Sequence, residues 1–185
     1  GLALFFVMLP AFAAIIVFLL LDRDFSVVGM LRRGFPFSEL KSILGLFIVL
    51  GAAILWFTAT THPDWFLSFP RRAPRLWLVV MLAYPLASVA AQELFYRVIY
   101  FHRYGVLFGD RAGLAILLNG VLFGFAHVIF HNWPAVVISG IGGAIFAWRY
   151  RRTGSLWAVG LEHSLYGGLI FTSGLGRYFF TGVSI

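Results

Sequence analysis

Several ionisable side chains of this protein stand in stretches of sequence otherwise too apolar to hold them. Glu93 and Arg97 lie four apart in one run, His127 and His131 at the end of the next, and Glu162 and His163 in the last. Gln92 and Asn119 add neutral polar groups. An ionisable group inside a membrane span costs about 2.5–3.5 kcal/mol on insertion scales, so each is a functional candidate by default. The bland readings are concrete. Glu93 and Arg97, carboxylate first, can pair on one helix face and do nothing but tie helices together. A lone His can be a satisfied polar contact between helices. An acid and two imidazoles on three separate runs weaken those readings when taken together.

The chemistry open to such a group is hydrolysis. A carboxylate and a neutral imidazole can share a water and deprotonate it, making a nucleophile for a peptide carbonyl. A second imidazole can donate a hydrogen bond to the oxyanion that follows. A dry surrounding of low dielectric strengthens each contact. The site would also need water, which predicts a cavity open to one side, with the cytoplasm as the candidate side. The rival chemistry is a zinc site. His127 and His131 are four apart and could face one ion, with Glu93 or His163 completing the shell. His131 abuts Asn132-Trp133-Pro134 at a helix end, however, which suits an interfacial residue better than a buried ligand. The expectation is therefore no cofactor, with zinc as the alternative.

Composition says what must position these groups. The chain has 185 residues, 61% of them hydrophobic and only 11% charged. Soluble domains carry about 25% charged residues, so this chain belongs in lipid. A span needs about 20 apolar residues. Runs of that kind cover residues 1–21, 42–60, 76–104 with a kink at Pro85, 112–131, 135–150 and 155–172. The prediction is an all-α, polytopic membrane helical bundle of about six transmembrane helices. It forms a single membrane domain over 1–185, with its chemistry in a core at about 76–172. Counted at about 1.5 Å per residue from their charged ends, Glu93, His127 and His163 fall about 16, 22 and 12 Å deep, within tilt of one another. The first run lacks a basic lead and does not read as a signal peptide.

Charge and cysteine content exclude other classes. There are no cysteines, hence no disulfide, thiolate metal site or Cys nucleophile. The net charge of +7 lies in loops, where it sets topology and can meet anionic lipid headgroups. No soluble basic face remains for a nucleic acid. Arg23, Arg32, Arg33, Lys41, Arg103, Arg111, Arg149, Arg151 and Arg152 fall on one side, against Arg71, Arg72, Arg75 and Arg177 on the other. The positive-inside rule puts the first set in the cytoplasm and both termini outside, in a multi-pass protein of the cell (inner) membrane. No inverted repeat or pair of broken helices suggests a transporter.

Three segments resemble the motifs of the CAAX protease and bacteriocin-processing family of intramembrane glutamic-type proteases. Gln92-Glu93-Leu94-Phe95-Tyr96-Arg97 resembles its EExxxR motif, Phe123-Gly124-Phe125-Ala126-His127 its FxxxH motif, and His163-Ser164-Leu165-Tyr166-Gly167 its HxxxN motif. Residues 152–157 resemble the usual lead-in to the last of these. The resemblance implies helices around a water-filled cavity in the membrane. It also implies an endopeptidase that cuts membrane-anchored proteins or peptides near their C-terminal end through a Glu/His-activated water. By position it makes Glu93, His127, His163 and Gln92 the catalytic set, with Arg97, Phe123 and Gly167 in support. Two positions depart from the pattern. Gln92 stands where the first motif Glu is usually the base, and a Gln cannot take a proton at neutral pH. Gly167 stands in place of Asn and removes a donor from the oxyanion side. Three readings of Gln92 follow. Glu93 serves as the base, a Glu was changed to trap an inactive form, or the chain is an impaired member that binds a membrane peptide in immunity or regulation.

Overall fold

Lipid offers no hydrogen bonds to a chain, so apolar runs of this length must satisfy their backbone within helices. The computed structural model of the protein describes residues 2–179. Gly1, where the first span was expected to begin, and the end of the C-terminal tail lie outside them. All six apolar runs are helical, and the described residues contain no strand. The long helices are α1 (Leu2–Leu21), α3 (Leu40–Thr61), α5 (Pro74–Phe108), α6 (Ala112–Ala126), α7 (Trp133–Thr153) and α8 (Leu156–Ser173). Two short ones, α2 (Val27–Arg32) and α4 (Ser68–Arg72), lie in the connections.

Among the described residues three helical stretches are both long and apolar enough to cross a membrane: Phe37–Thr61, Pro74–Phe108 and Ala112–Phe130. They expose large apolar side chains such as Ile48, Trp56, Leu86 and Val121, which suits a lipid face. A shorter apolar stretch, Phe12–Leu21, belongs to α1. The sequence expectation of about six spans counted α7 and α8 by length. Both are long, at 21 and 18 residues, but they carry the polar groups that the bundle buries. Ser139, Arg149, Glu162, His163 and Ser173 are all buried there.

Small residues set the closest approach. Gly120 and Gly124 on α6 lie against Gly140 and Gly143 on α7. A Cβ at Gly124 would come 2.8 Å from the Val136 carbonyl oxygen, and one at Gly143 would come 2.8 Å from Phe123 Cβ. This is the small-xxx-small contact of membrane helices, in which absent side chains let backbones touch. Gly124→Leu is therefore expected to cost about 1–3 kcal/mol by overpacking. Thermal unfolding in detergent should show it, with Gly113→Leu, which has open space around it on the same helix, as the neutral control.

Local signals start and stop the helices. Asn132 caps α7, accepting from the Ala135 N–H at 2.9 Å, and Gly154 ends it in the left-handed region at φ 61°. Ser155 caps α8 through the Ala158 N–H at 3.2 Å, and its hydroxyl donates to the Gly34 carbonyl at 2.6 Å. A buried ion cluster joins three helices. Arg149 donates to Glu162 through Nε at 2.8 Å and through Nη2 at 3.0 Å, and also pairs with Glu39 at the start of α3. Arg152 holds the other oxygen of Glu39 at 2.9 Å. Glu162, a candidate on its burial alone, is thus spoken for by Arg149.

Candidate active site

The expected kink at Pro85 takes a particular form. Proline has no N–H to continue the ladder, and α5 loosens into a π turn over Pro85–Val89, where the Ala90 N–H donates to the Pro85 carbonyl. A second π turn covers Leu94–Ile99. Such turns shift the helical phase and gather at functional sites. Between them lies the short regular piece Ala90–Glu93, which carries Gln92 and Glu93.

The two neighbours face different surroundings, as the 100° step between adjacent helical residues demands. Glu93 points inward and is fully buried. Its Oε1 meets His163 Nδ1 at 2.7 Å, and its Oε2 lies 3.3 Å from Arg97 Nε. The Arg97 contact is close enough for Coulombic attraction but is not aligned as a hydrogen bond, so Arg97 Nε and Nη1 stay without hydrogen-bond partners. Arg97 Nη2 donates to the Gly143 carbonyl at 3.3 Å. Its guanidinium carbon sits 4.4 Å from the ring centre of Phe123 and 5.4 Å from that of Phe146, which suits cation–π contact.

Gln92 faces the other way, toward open volume. Its Nε2 donates to Ser88 Oγ at 2.7 Å, while its Oε1 is buried with no protein donor. A cavity of about 660 Å³ lies between α3, α5, α6, α7 and α8. Gln92, His127, His163, Tyr84 and Gly167 line it among mostly apolar side chains. A second cavity of about 680 Å³, toward α1, also reaches Gln92 and His127. Glu93 lines neither.

Hydrogen bonds fix the state of each imidazole. His127 Nδ1 lies 2.7 Å from the Phe123 carbonyl, which can only accept, so Nδ1 carries the hydrogen and Nε2 is the basic nitrogen. His163 Nδ1 likewise donates to the Glu93 carboxylate, leaving Nε2 as an acceptor. That Nε2 is 3.1 Å from the hydroxyl of Tyr84, the natural donor to it. Phe146 stacks on the His163 ring at 4.4 Å, and Phe123 meets it edge-on at 5.6 Å.

Most of the residues singled out from the sequence gather here: Gln92, Glu93, Arg97, Phe123, His127, His163 and Gly167. His131 does not. The helix tightens into a 3₁₀ turn over His127–Phe130, and His131 follows with φ 56°, exposed to the surroundings. The four-residue spacing therefore does not stack the two imidazoles on one α-helical face. Among the described residues no three His, Asp or Glu side chains are placed to hold a metal ion. Of the donors named for zinc, Glu93 is engaged by Arg97 and His163, while His127 donates through Nδ1 to a carbonyl and keeps Nε2 free. Sequence reasoning missed Tyr84, Ser88 and Phe146. Tyr84 precedes the Pro85 kink, and that adjacency was the only signal available.

A family model described as type II CAAX prenyl endopeptidase Rce1-like matches residues 74–169, which is 96 of 185 positions and holds α5, α6, α7 and most of α8. Comparison with curated proteins and with solved structures finds no match for the chain.

Proposed function

The chain belongs to the Rce1-like family of type II CAAX prenyl endopeptidases, and from that premise we propose that it hydrolyses a peptide bond in a membrane-anchored protein or peptide, near the substrate's C-terminal end and without a metal. One observation carries the reading: Gln92, His127 and His163 line one largely apolar cavity, with Glu93 behind His163. An apolar cavity of this size takes a hydrophobic substrate segment, and its few polar groups orient the reacting amide.

The roles follow from the hydrogen bonds. An attacking water donates one hydrogen to the orphaned Gln92 Oε1, and His127 Nε2 removes the other as the nucleophilic oxygen bonds to the carbonyl carbon. Gln92 orients that water but cannot take its proton, so the base is His127 alone. Glu93 and Arg97 lie behind the reacting groups and act as positioning residues, holding His163 in one tautomer. The His127 proton passes to the amide nitrogen as the C–N bond breaks. We assign the cavity to a site in the cell membrane; its lining by Phe57, Phe130, Pro134 and Tyr178, at the helix ends away from the Arg-rich loops, favours entry from that opposite side.

The test uses purified protein in liposomes with a C-terminally lipidated peptide. Slow cleavage is expected, and His127→Ala should lower it by about a hundredfold, the low end for a general base, with peptide binding kept. Gln92 favours a second reading, a peptide-binding member without turnover. Tight peptide binding with no cleavage, insensitive to His127→Ala, would select it.

A further inference from the structure

One polar group in the cavity wall has no part in the scheme above. The Tyr84 hydroxyl hydrogen-bonds His163 Nε2 at 3.1 Å and lines the same apolar cavity. Its place depends on Gly167. A Cβ built there would overlap the Tyr84 hydroxyl, Cζ and Cε1, so the ring lies directly over the glycine backbone. The tyrosine fills the volume that any side chain at 167 would claim, and it brings a donor there. Phe171 braces the ring edge-on at 5.5 Å. Pro85 follows at once, with the π turn that loosens the helix at this level.

We propose that Tyr84 is a further catalytic residue, the hydrogen-bond donor to the oxyanion formed in this cavity. The assignment rests on the endopeptidase reading of the site. Among the described residues the hydroxyl's hydrogen-bond partner is His163 Nε2, and Glu93 fixes that nitrogen as the acceptor of the neutral ring by taking the Nδ1 hydrogen. An oxyanion is a far better acceptor than a neutral imidazole, because hydrogen bonds to a charged group are roughly twice as strong. The O–H therefore swings from Nε2 to the oxygen as charge develops there. No covalent bond of Tyr84 changes. The interaction is made in the transition state and not with the bound amide, so it raises kcat and leaves KM alone. His163 then has a role of its own: it parks the donor beside the reacting carbonyl.

Tyr84→Phe tests this without disturbing the ring packing. The probes are a lipidated peptide and a matched set with a phosphinate replacing each of its C-terminal amides in turn, a tetrahedral anion in place of the carbonyl. In the variant, kcat for the amide peptide should fall by about a hundredfold, as for other oxyanion donors, with KM unchanged. The best phosphinate should bind at least about tenfold more weakly, and the amide peptide equally well. Gly167→Ala, which displaces the ring, should match it in both readouts. Equal phosphinate affinity in wild type and Tyr84→Phe overturns the assignment, as does a wild type that binds no phosphinate better than the amide. A wild type that cuts nothing yet holds the phosphinate through Tyr84 overturns the endopeptidase reading and with it the catalytic role, and leaves Tyr84 as a donor to a bound tetrahedral anion.

Discussion

Gln92→Glu is expected to raise the cleavage rate of a membrane-anchored peptide by about 10²–10⁴-fold, the range that a placed general base supplies. The substitution changes almost no volume. Gln92 lines the same cavity as His127, and its Oε1 is buried without a protein donor. A carboxylate there can take the proton that an amide can only orient. The other oxygen would replace Nε2 opposite Ser88, and the Ser88 hydroxyl can reverse from acceptor to donor. The pH profile supplies a second mark. A carboxylate base works only when ionised, so the variant's added rate should be present at higher pH and disappear as pH falls through the carboxyl pKa. Initial rates in liposomes across pH decide it. No gain in rate, with peptide binding intact, would remove position 92 from the chemistry and favour the binding reading.

Arg149→Met is expected to cost about 3–5 kcal/mol of stability, the usual result of removing one partner from a buried ion pair. Arg149 is fully buried and donates twice to the fully buried Glu162. It also joins Glu39 and Ser42, so it fastens the start of α3 to α7 and α8. Without it Glu162 would be left as an uncompensated charge, while Glu39 would keep Arg152. Urea unfolding in bicelles would measure the loss. Arg149→Met with Glu162→Leu should recover most of it, since matched apolar groups often serve as well as a buried pair. A single variant as stable as wild type would mean that the cluster carries no such weight.

Gly167 and Gln92 show how far residue types reach. Both were legible as departures from a motif, and neither could be interpreted until its neighbours were known. Gly167 looked like a lost donor, but its missing Cβ is what lets the Tyr84 hydroxyl stand there. Gln92 and Glu93 were candidates for one role. The helix turns them apart, and the inner one is occupied by Arg97 and His163. His131 stands apart from the cluster because its spacing from His127 assumed an α-helix where the chain tightens into a 3₁₀ turn. The π turns in α5, which set the facing of the Gln92–Glu93 pair, leave no trace in hydropathy beyond Pro85.

Composition alone determined that this is a helical membrane protein, and the spacing of its polar groups picked out which helices carry the candidate site. Both follow from short-range physics: apolar runs in lipid must close their own backbone hydrogen bonds, and an ionisable group there needs a reason. Only the tertiary structure decided who partners whom. Glu162 went to Arg149, Glu93 to His163 and Arg97, and Tyr84 to the space above Gly167. Those choices depend on angles between helices distant in sequence, and no single helix encodes them.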